Sequence, residues 1–160
     1  MRGAKGFSLI ELLIVVAIIL IIAAIAVPNY LHSRELANES AAVADLRTFN
    51  TAQISYQSAY PSVGFASRLS NLGPGSGGTC APTSTSACLI DSVLAGGTKN
   101  GYSFQITPGT ENPVSSYQFF ATPTQPGYTG TRYFCSFADA VIRFNAAAIT
   151  TCDGTVNPQQ

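Results

Sequence analysis

The sequence predicts an α+β fold in which a long, kinked N-terminal α-helix packs on a small four-stranded antiparallel sheet. Three observations support this fold class. An apolar run from Phe7 to Val27 is interrupted only by Ser8 and Glu11. A stretch without glycine or proline follows, from Asn29 to about Ser58. After Gly101 the pattern changes to short segments in which apolar and polar residues alternate, which is the period of a half-buried strand.

The composition separates this chain from charged cytosolic enzymes and from nucleic-acid-binding proteins. Hydrophobic residues make up 46% and charged residues 10%, and the apolar excess is concentrated in the N-terminal run. The rest is rich in serine, threonine, glycine, asparagine, alanine and tyrosine, which suits a small β-rich domain outside the cytoplasm. Eight basic and eight acidic side chains balance without a basic patch, so we predict no direct nucleic-acid binding.

The N-terminal apolar run is long enough to cross a membrane. As a helix it spans roughly 31 Å, close to the hydrocarbon thickness of a bilayer. Arg2 and Lys5 precede it and would keep the short N-terminus in the cytoplasm by the positive-inside rule. An ordinary signal peptide, which has a shorter apolar stretch, and a plain membrane anchor are alternatives. Neither of them explains Glu11.

Glu11 is an acid inside an apolar helix, which is costly and therefore indicates a function. It needs a positively charged partner. If the chain were cut between Gly6 and Phe7, a new α-amino group would appear four residues before Glu11. Pairing of these charges, within one chain or between neighbours, would offset the loss of hydration.

The six residues from Gly6 to Glu11 (GFSLIE), after a short basic leader and before an apolar run, resemble the prepilin motif of type IV pilins and of the related type II secretion pseudopilins. The resemblance implies that a prepilin peptidase cuts after Gly6 and N-methylates Phe7. It also implies that Glu11 pairs with the amine of a neighbouring subunit during assembly. Residues 1–6 would then be a leader peptide and residues 7–28 a transmembrane and filament-core helix.

Pro28 matches the proline that interrupts the N-terminal helix of such pilins. It has no backbone N–H and disfavours helical geometry at the residue before it, so we expect a kink or local unwinding there. Residues 29–60 should continue the helix and pack on the head. At 100° per residue, four apolar side chains form one stripe that could face the sheet: Leu36, Val43, Leu46 and Ile54.

Residues 61–100 are expected to form an irregular αβ loop, and residues 101–160 an antiparallel sheet with a C-terminal disulfide region. Asp139-Ala140 is expected to form a hairpin turn, although alanine lacks the freedom of glycine at positive φ. The whole segment resembles, more diffusely, the heads of bacterial type IVa-like pilins. Four strands are predicted: Tyr102–Ile106, Tyr117–Ala121, Arg132–Phe137 and Val141–Phe144.

The four cysteines, Cys80, Cys88, Cys135 and Cys152, predict two disulfides in an oxidising compartment. They lack the paired short spacings of a zinc site, and the single histidine lies far from them in sequence, so no metal is predicted. Four cysteines allow three pairings. We favour Cys80–Cys88 with Cys135–Cys152, because each pair brackets a plausible loop or hairpin. In the family that the chain resembles, the region corresponding to Cys135–Cys152 is exposed on the filament.

We predict that the chain is not an enzyme and needs no cofactor, because it has no nucleophile elbow, paired-acid motif or metal set, and His32 follows the membrane segment directly. The resemblance implies the structural subunit of a type IV pilus, which polymerises through its N-terminal helix into a helical surface filament. Its partners would be other copies of itself, the prepilin peptidase and methylase, and the inner-membrane assembly machinery. The precursor would lie in the bacterial inner membrane before the subunit becomes extracellular.

Two other functions stay open at this point. A pseudopilin of a type II secretion system uses the same N-terminal helix in a short periplasmic filament. A membrane-anchored binding module that never polymerises would tolerate Glu11→Ala, whereas a filament subunit would lose assembly. Adhesion, twitching motility, DNA uptake and electron conduction are not distinguished by the sequence.

Overall fold

The computed structural model describes residues 7–75 and 80–158, and the predicted leader, residues 1–6, lies outside them. The chain divides into two compact units, Met1–Arg34 and Glu35–Gln160. The helix α1 (Leu9–Ala59) contributes to both. In the described part of the first unit it is the only element, and nearly all of its side chains are exposed.

In the second unit α1 supplies one face of the hydrophobic core. Val43 and Leu46 are buried, as the predicted stripe requires, but Leu36 and Ile54 are 46% and 60% exposed. That half of the prediction is wrong, because these two residues lie at one edge of the buried arc. The buried arc includes four polar or charged side chains. The buried residues of α1 are Glu39, Ala42, Val43, Asp45, Leu46, Phe49, Asn50, Ala52, Gln53 and Tyr56.

The segment predicted as an irregular loop contains two single-turn helices, α2 (Leu69–Leu72) and α3 (Ser92–Ala95), and a short strand. Helix α3 begins where Asp91 provides its N-cap, because the Asp91 carboxylate accepts the Leu94 N–H at 2.8 Å. This capping bond is the main reason why the pKa of Asp91 lies below its ordinary value. Leu72 and Leu94 are buried, so both turns attach the segment to the core.

The sheet has five strands, one more than the four predicted, and the order in space is the order in the chain. Every neighbouring pair is antiparallel. The additional strand is the two-residue β1, which pairs through Thr98↔Ser103 and Lys99↔Tyr102. The predicted α+β fold class is otherwise confirmed. The strands are β1 (Thr98–Lys99), β2 (Tyr102–Pro108), β3 (Tyr117–Pro123), β4 (Tyr133–Phe137) and β5 (Arg143–Asn145).

The tight turns between strands use positive backbone φ angles. Asn100 (φ 49°) and Gly101 (φ 75°) connect β1 to β2 as a two-residue hairpin loop, the arrangement that Asn-Gly favours. Between β4 and β5, Ala140 has a φ of 59°, so the turn does place a residue without glycine's freedom in the left-handed region. Asp139 supports this turn by accepting the Val141 N–H at 3.0 Å.

Aromatic rings fill the space between α1 and the sheet. Phe49 of α1 stacks on Phe119 with ring centroids 4.8 Å apart and lies 5.4 Å from Phe104. Tyr117 meets Phe119 edge to face at 5.2 Å. Offset and edge-to-face contacts of this kind add to the stabilisation from burial alone. A chain without tryptophan therefore builds its core from phenylalanine and tyrosine.

Candidate assembly site

The N-terminus of α1 is closed by the Glu11 side chain. The Leu12 N–H donates to the Ser8 carbonyl at 3.2 Å, which makes Ser8 the N-cap residue. The Ser8 N–H in turn donates to Glu11 Oε2 at 3.0 Å. This is the reciprocal bond of a capping box, in which an acid three residues after the N-cap reaches back to its N–H. The Ser8-x-x-Glu11 spacing is the local sequence signal for this contact, and it was not among the predictions made from the sequence.

Glu11 therefore has a partner within its own chain. A carboxylate in the first helical turn is also favoured by the helix dipole, so this position lowers the cost of holding an acid in apolar surroundings. Phe7, directly before the capping residue, is 76% exposed and lies outside the helix. Gly6, the other side of the predicted cleavage site, lies outside the described residues.

The helical segment from Leu9 to Leu31 leaves its large apolar side chains exposed. Their exposed fractions range from 44% for Leu31 to 80% for Leu9. Exposed apolar surface of this extent marks a site of contact with a membrane or with another protein. Helix α1 is also the one helix in the described residues with the length and composition to cross a membrane. Both properties belong to the same stretch of chain.

Pro28 lies inside α1, and the helix continues through it. The local unwinding that was one of the two expectations is not present, and a bend remains a prediction. The side chain of the next residue, Asn29, donates from Nδ2 to the Ile25 carbonyl at 3.2 Å. This bond supplies a further donor in the turn where proline removes one.

In the head, Glu39 joins α1 to the chain that leads into β4. Its Oε1 accepts from the Thr131 N–H at 2.8 Å, the Thr131 hydroxyl at 3.0 Å and the Arg132 N–H at 3.1 Å. Its Oε2 accepts from Arg132 Nε at 2.6 Å. Burial alone would raise the pKa of Glu39, but these hydrogen bonds outweigh it and hold the pKa below its ordinary value. We call this group the Glu39 clamp.

A second polar contact joins α1 to the sheet at Asn50. Its Nδ2 donates to the Ser136 hydroxyl at 2.8 Å, and its Oδ1 accepts from the Tyr117 hydroxyl at 3.2 Å. Burial raises the pKa of Tyr117 to about 12, so its hydroxyl remains a donor at physiological pH. One helix turn further on, Gln53 pairs with both the N–H and the carbonyl of Ala66. The Asn50 bonds fix the helix against the sheet, and the Gln53 bonds fix it against the segment that follows the helix.

Lys99 links α1 to α3. Its ammonium lies 3.2 Å from Asp45 Oδ1 and 3.1 Å from Asp91 Oδ2. Hydrogen bonding to Asp91, opposed by burial and reinforced by Asp45, raises the pKa of Lys99. The short strand β1 is thereby attached at the surface of the head.

The structure contains disulfides between Cys80 and Cys88 and between Cys135 and Cys152, each with a Cα–Cα distance of 5.9 Å. Cys135 on β4 and Cys152 in the C-terminal segment are both buried. This bond therefore attaches the C-terminal segment to the sheet. In the described residues no group of three or more histidine, cysteine, aspartate or glutamate side chains could hold a metal ion.

The N-terminal sequence and the fold define a class of protein with a small α+β head and a long apolar N-terminal helix. Residues 1–27 match the family described as "Prokaryotic N-terminal methylation motif". Over 57 residues the chain is 53% identical to the "Type IV wide pilus major component PilA4" of Thermus thermophilus, covering 36% of this chain and 44% of that protein. It is 50% identical over 52 residues to the "Type IV major pilin protein PilA" of Myxococcus xanthus, covering 32% of this chain and 24% of that protein.

A "Fimbrial protein" of Pseudomonas aeruginosa is 48% identical over 52 residues, which are 32% of this chain and 34% of that protein. In each case the match covers less than half of the relative. No solved structure matches the chain at a significant level. The motif and these relatives together support a type IV pilin. The relatives are named as pilus components, and the motif is a signal carried by a substrate, so the prediction that the chain is not an enzyme is confirmed.

Proposed function

We propose that this chain is the structural subunit of a type IV pilus, cut between Gly6 and Phe7, methylated on Phe7 and polymerised through α1 into an extracellular filament. The observation that carries the proposal is the exposed apolar stretch of α1 with a single acid, Glu11, in its first turn. The methylation motif in residues 1–27 and the relatives named as pilins support it.

The physical basis for polymerisation is an exchange of apolar surroundings. In the precursor, lipid tails would cover the exposed side chains of α1, and in a filament the helices of neighbouring subunits would do so. The apolar area removed from water is similar in both states, so the transfer needs only a modest net free energy. Helix contacts would then be selected by packing and by the few polar groups in the stretch.

Glu11 would provide the register between neighbouring subunits. Its carboxylate already accepts the Ser8 N–H, and the α-amine created by cleavage would add a positive charge from a neighbour. A subunit placed out of register would leave that amine without its carboxylate in apolar surroundings, which is strongly unfavourable. The two roles of Glu11, helix cap and ion-pair partner, can be separated by mutation.

A series at position 11 tests the proposal. Glu11→Gln keeps an oxygen that can accept the Ser8 N–H but removes the charge, whereas Glu11→Ala removes both. We expect both variants to accumulate in the membrane and to yield at least tenfold less filament in the sheared fraction, measured by quantitative immunoblot against wild type. Ser33→Ala, which removes an exposed hydroxyl bonded only to its own helix, is the matched control and should assemble normally.

The series has two contrary outcomes. Normal filament yield from Glu11→Gln would show that capping alone is needed and that no charge pair sets the register. Normal yield from Glu11→Ala would show that neither the cap nor the charge at position 11 is needed for assembly. Absence of the wild-type chain from the sheared fraction would favour a membrane-anchored module that does not polymerise. The same shear test separates a surface pilus from a pseudopilin, because only a surface pilus is released from intact cells at native expression levels.

A further inference from the structure

A cleft on the head, separate from the exposed apolar segment Leu9–Leu31 of α1, is lined by two arginines and a serine. It has a volume of about 220 Å³, and its lining residues are Glu39, Ser40, Val43, Arg47 and Arg132. Ser40 and Arg47 lie seven residues apart on α1, which places them two turns apart on the same side of the helix. Arg132 is the residue directly before β4.

Arg132 is held in one orientation by the Glu39 clamp. Its Nε donates to Glu39 Oε2 at 2.6 Å. Its guanidinium carbon lies 5.7 Å from the ring centre of Phe134 and 5.5 Å from that of Phe144. The ion pair and the two rings together fix the plane of the guanidinium. A fixed planar donor group is suited to bidentate recognition of an oxyanion.

The donor capacity of Arg132 is only partly used. In the residues that the structure describes, its two terminal nitrogens make no hydrogen bond. Glu39 does not occupy these terminal nitrogens. Its Oε2 is bound by Arg132 Nε, and its Oε1 already accepts three hydrogen bonds from Thr131 and the Arg132 backbone. The side chain is 34% exposed, so the unused donors are within reach of a ligand.

Arg47 adds a second positive charge to the cleft. Its side chain is exposed, and within residues 7–75 and 80–158 it has no acidic partner. The cleft therefore carries two guanidinium groups against a single carboxylate, which leaves it with a net positive charge. A volume of about 220 Å³ is several times the roughly 30 Å³ that one water molecule occupies, so a tetrahedral anion with a small carrier fits.

We propose that the cleft of Ser40, Arg47 and Arg132 binds a phosphate group, either as the free ion or carried by a small organic molecule. The two arginines would bind the phosphate oxygens by charge-assisted hydrogen bonds, and the Ser40 hydroxyl would donate a further one. Arginine is the residue best matched to this geometry, since its planar fork meets two oxygens at once.

The experiment is a titration of the full chain in non-ionic detergent micelles, followed by amide chemical shifts. The probe is inorganic phosphate, with sodium chloride at matched ionic strength as the reference. We expect saturable shifts centred on Ser40, Val43, Arg47 and Arg132. Arg47→Gln should weaken phosphate binding by about tenfold, and Arg47→Lys, which keeps the charge but not the fork, by less.

Arg68→Gln is the matched control, because Arg68 is also exposed and has no acidic partner in the described chain, but lies outside the cleft. It should bind phosphate as wild type does. Glycerol 3-phosphate distinguishes the two sources: tighter binding than inorganic phosphate assigns an organic phosphate, and equal binding assigns the free ion. Shifts that do not saturate, or an equal loss in Arg47→Gln and Arg68→Gln, would overturn the proposal.

Discussion

Replacing Glu39 by glutamine tests whether the Glu39 clamp stabilises the head through its charge. The glutamine side chain has nearly the same shape and can still accept hydrogen bonds from Thr131. Its amide NH₂, however, would face either the Arg132 guanidinium or a donor of Thr131, so one pair of donors must oppose each other. The Glu39 side chain is 3% exposed and that of Arg132 34% exposed.

The size of the effect follows from this burial. Removing one partner of a buried ion pair costs about 3–5 kcal/mol. Because Arg132 is partly in contact with solvent, its charge is partly screened, and we expect the free energy of unfolding to fall by about 3 kcal/mol. For a chain of this size that corresponds to a fall in melting temperature of about 6–12 °C.

The pH dependence gives the same prediction a second test. The folded-state pKa of Glu39 lies below its ordinary value of 4.5, so its ionised form stabilises the folded state above the unfolded pKa. That stabilisation is lost as the pH falls through the folded pKa. Glutamine imitates protonated glutamate, so the difference between wild type and Glu39→Gln should be largest near pH 7 and narrow toward about pH 3. Other acids with lowered pKa values, such as Asp91, titrate in both proteins and cancel in the comparison.

The assay is thermal unfolding of the full chain in non-ionic micelles, followed by near-ultraviolet circular dichroism at pH 7 and at about pH 3. Glu111→Gln is the control, because Glu111 is exposed and has no ion pair in the described chain. It should melt within about 1 °C of wild type. A fall of less than about 2 °C for Glu39→Gln at pH 7 would refute the reasoning. A difference of equal size at both pH values would show that shape, not charge, is responsible.

Two further changes test the packing of the head. Replacing both Cys135 and Cys152 by serine should reduce the free energy of unfolding by about 3 kcal/mol, since the bond closes a separation of 17 residues; the same change at Cys80 and Cys88, separated by 8 residues, should cost less. Asn50→Ala should cost about 2 kcal/mol, because it leaves the buried hydroxyls that it contacts without a partner. Both are measured by chemical denaturation.

Each of these two predictions has a result that would contradict it. If the Cys80 and Cys88 double variant were the less stable of the two, the C-terminal attachment would not be the stronger constraint. Thr51→Ala is the control for Asn50→Ala, since Thr51 is the next residue on α1 and its hydroxyl bonds only to its own helix. An equal loss from the two substitutions would mean that the contact with the sheet adds nothing.

The sequence predicted those parts of the fold whose signals are local. The first part of α1 follows from the apolar run Phe7–Val27 and the part after Pro28 from a stretch without glycine or proline. Strands β2 to β5 follow from alternation ended by turn residues. The hairpin between β1 and β2 was missed although Asn100-Gly101 is a strong signal for such a turn. The capping contact at Glu11 also has a local signal, the Ser-x-x-Glu spacing of a capping box, which is absent from the predictions above.

The polar contacts of the head could not be predicted from local patterns. Glu39 and Asn50 are polar residues among the apolar ones of α1, yet both are buried, because hydrogen bonds to distant parts of the chain satisfy them. Glu39 is 92 and 93 residues from Thr131 and Arg132, and Asn50 is 86 residues from Ser136. Their spacing places both on the predicted stripe, but polar side chains are normally assigned to solvent, and periodicity contains no information on distant hydrogen-bond partners. The same stripe wrongly assigned Leu36 and Ile54 to the buried face of α1, although both are exposed.

The central claim is that Gly6/Phe7 is cut and that the resulting subunit leaves the membrane for a filament. Intact mass spectrometry of the membrane fraction and of sheared surface filaments tests it most directly. The account predicts one species in the filaments that lacks residues 1–6. Relative to the mass calculated for residues 7–160 with reduced cysteines, it is heavier by one methyl group of about 14 Da and lighter by about 4 Da for two disulfides. A full-length chain with an intact N-terminus in the filament fraction would contradict the account.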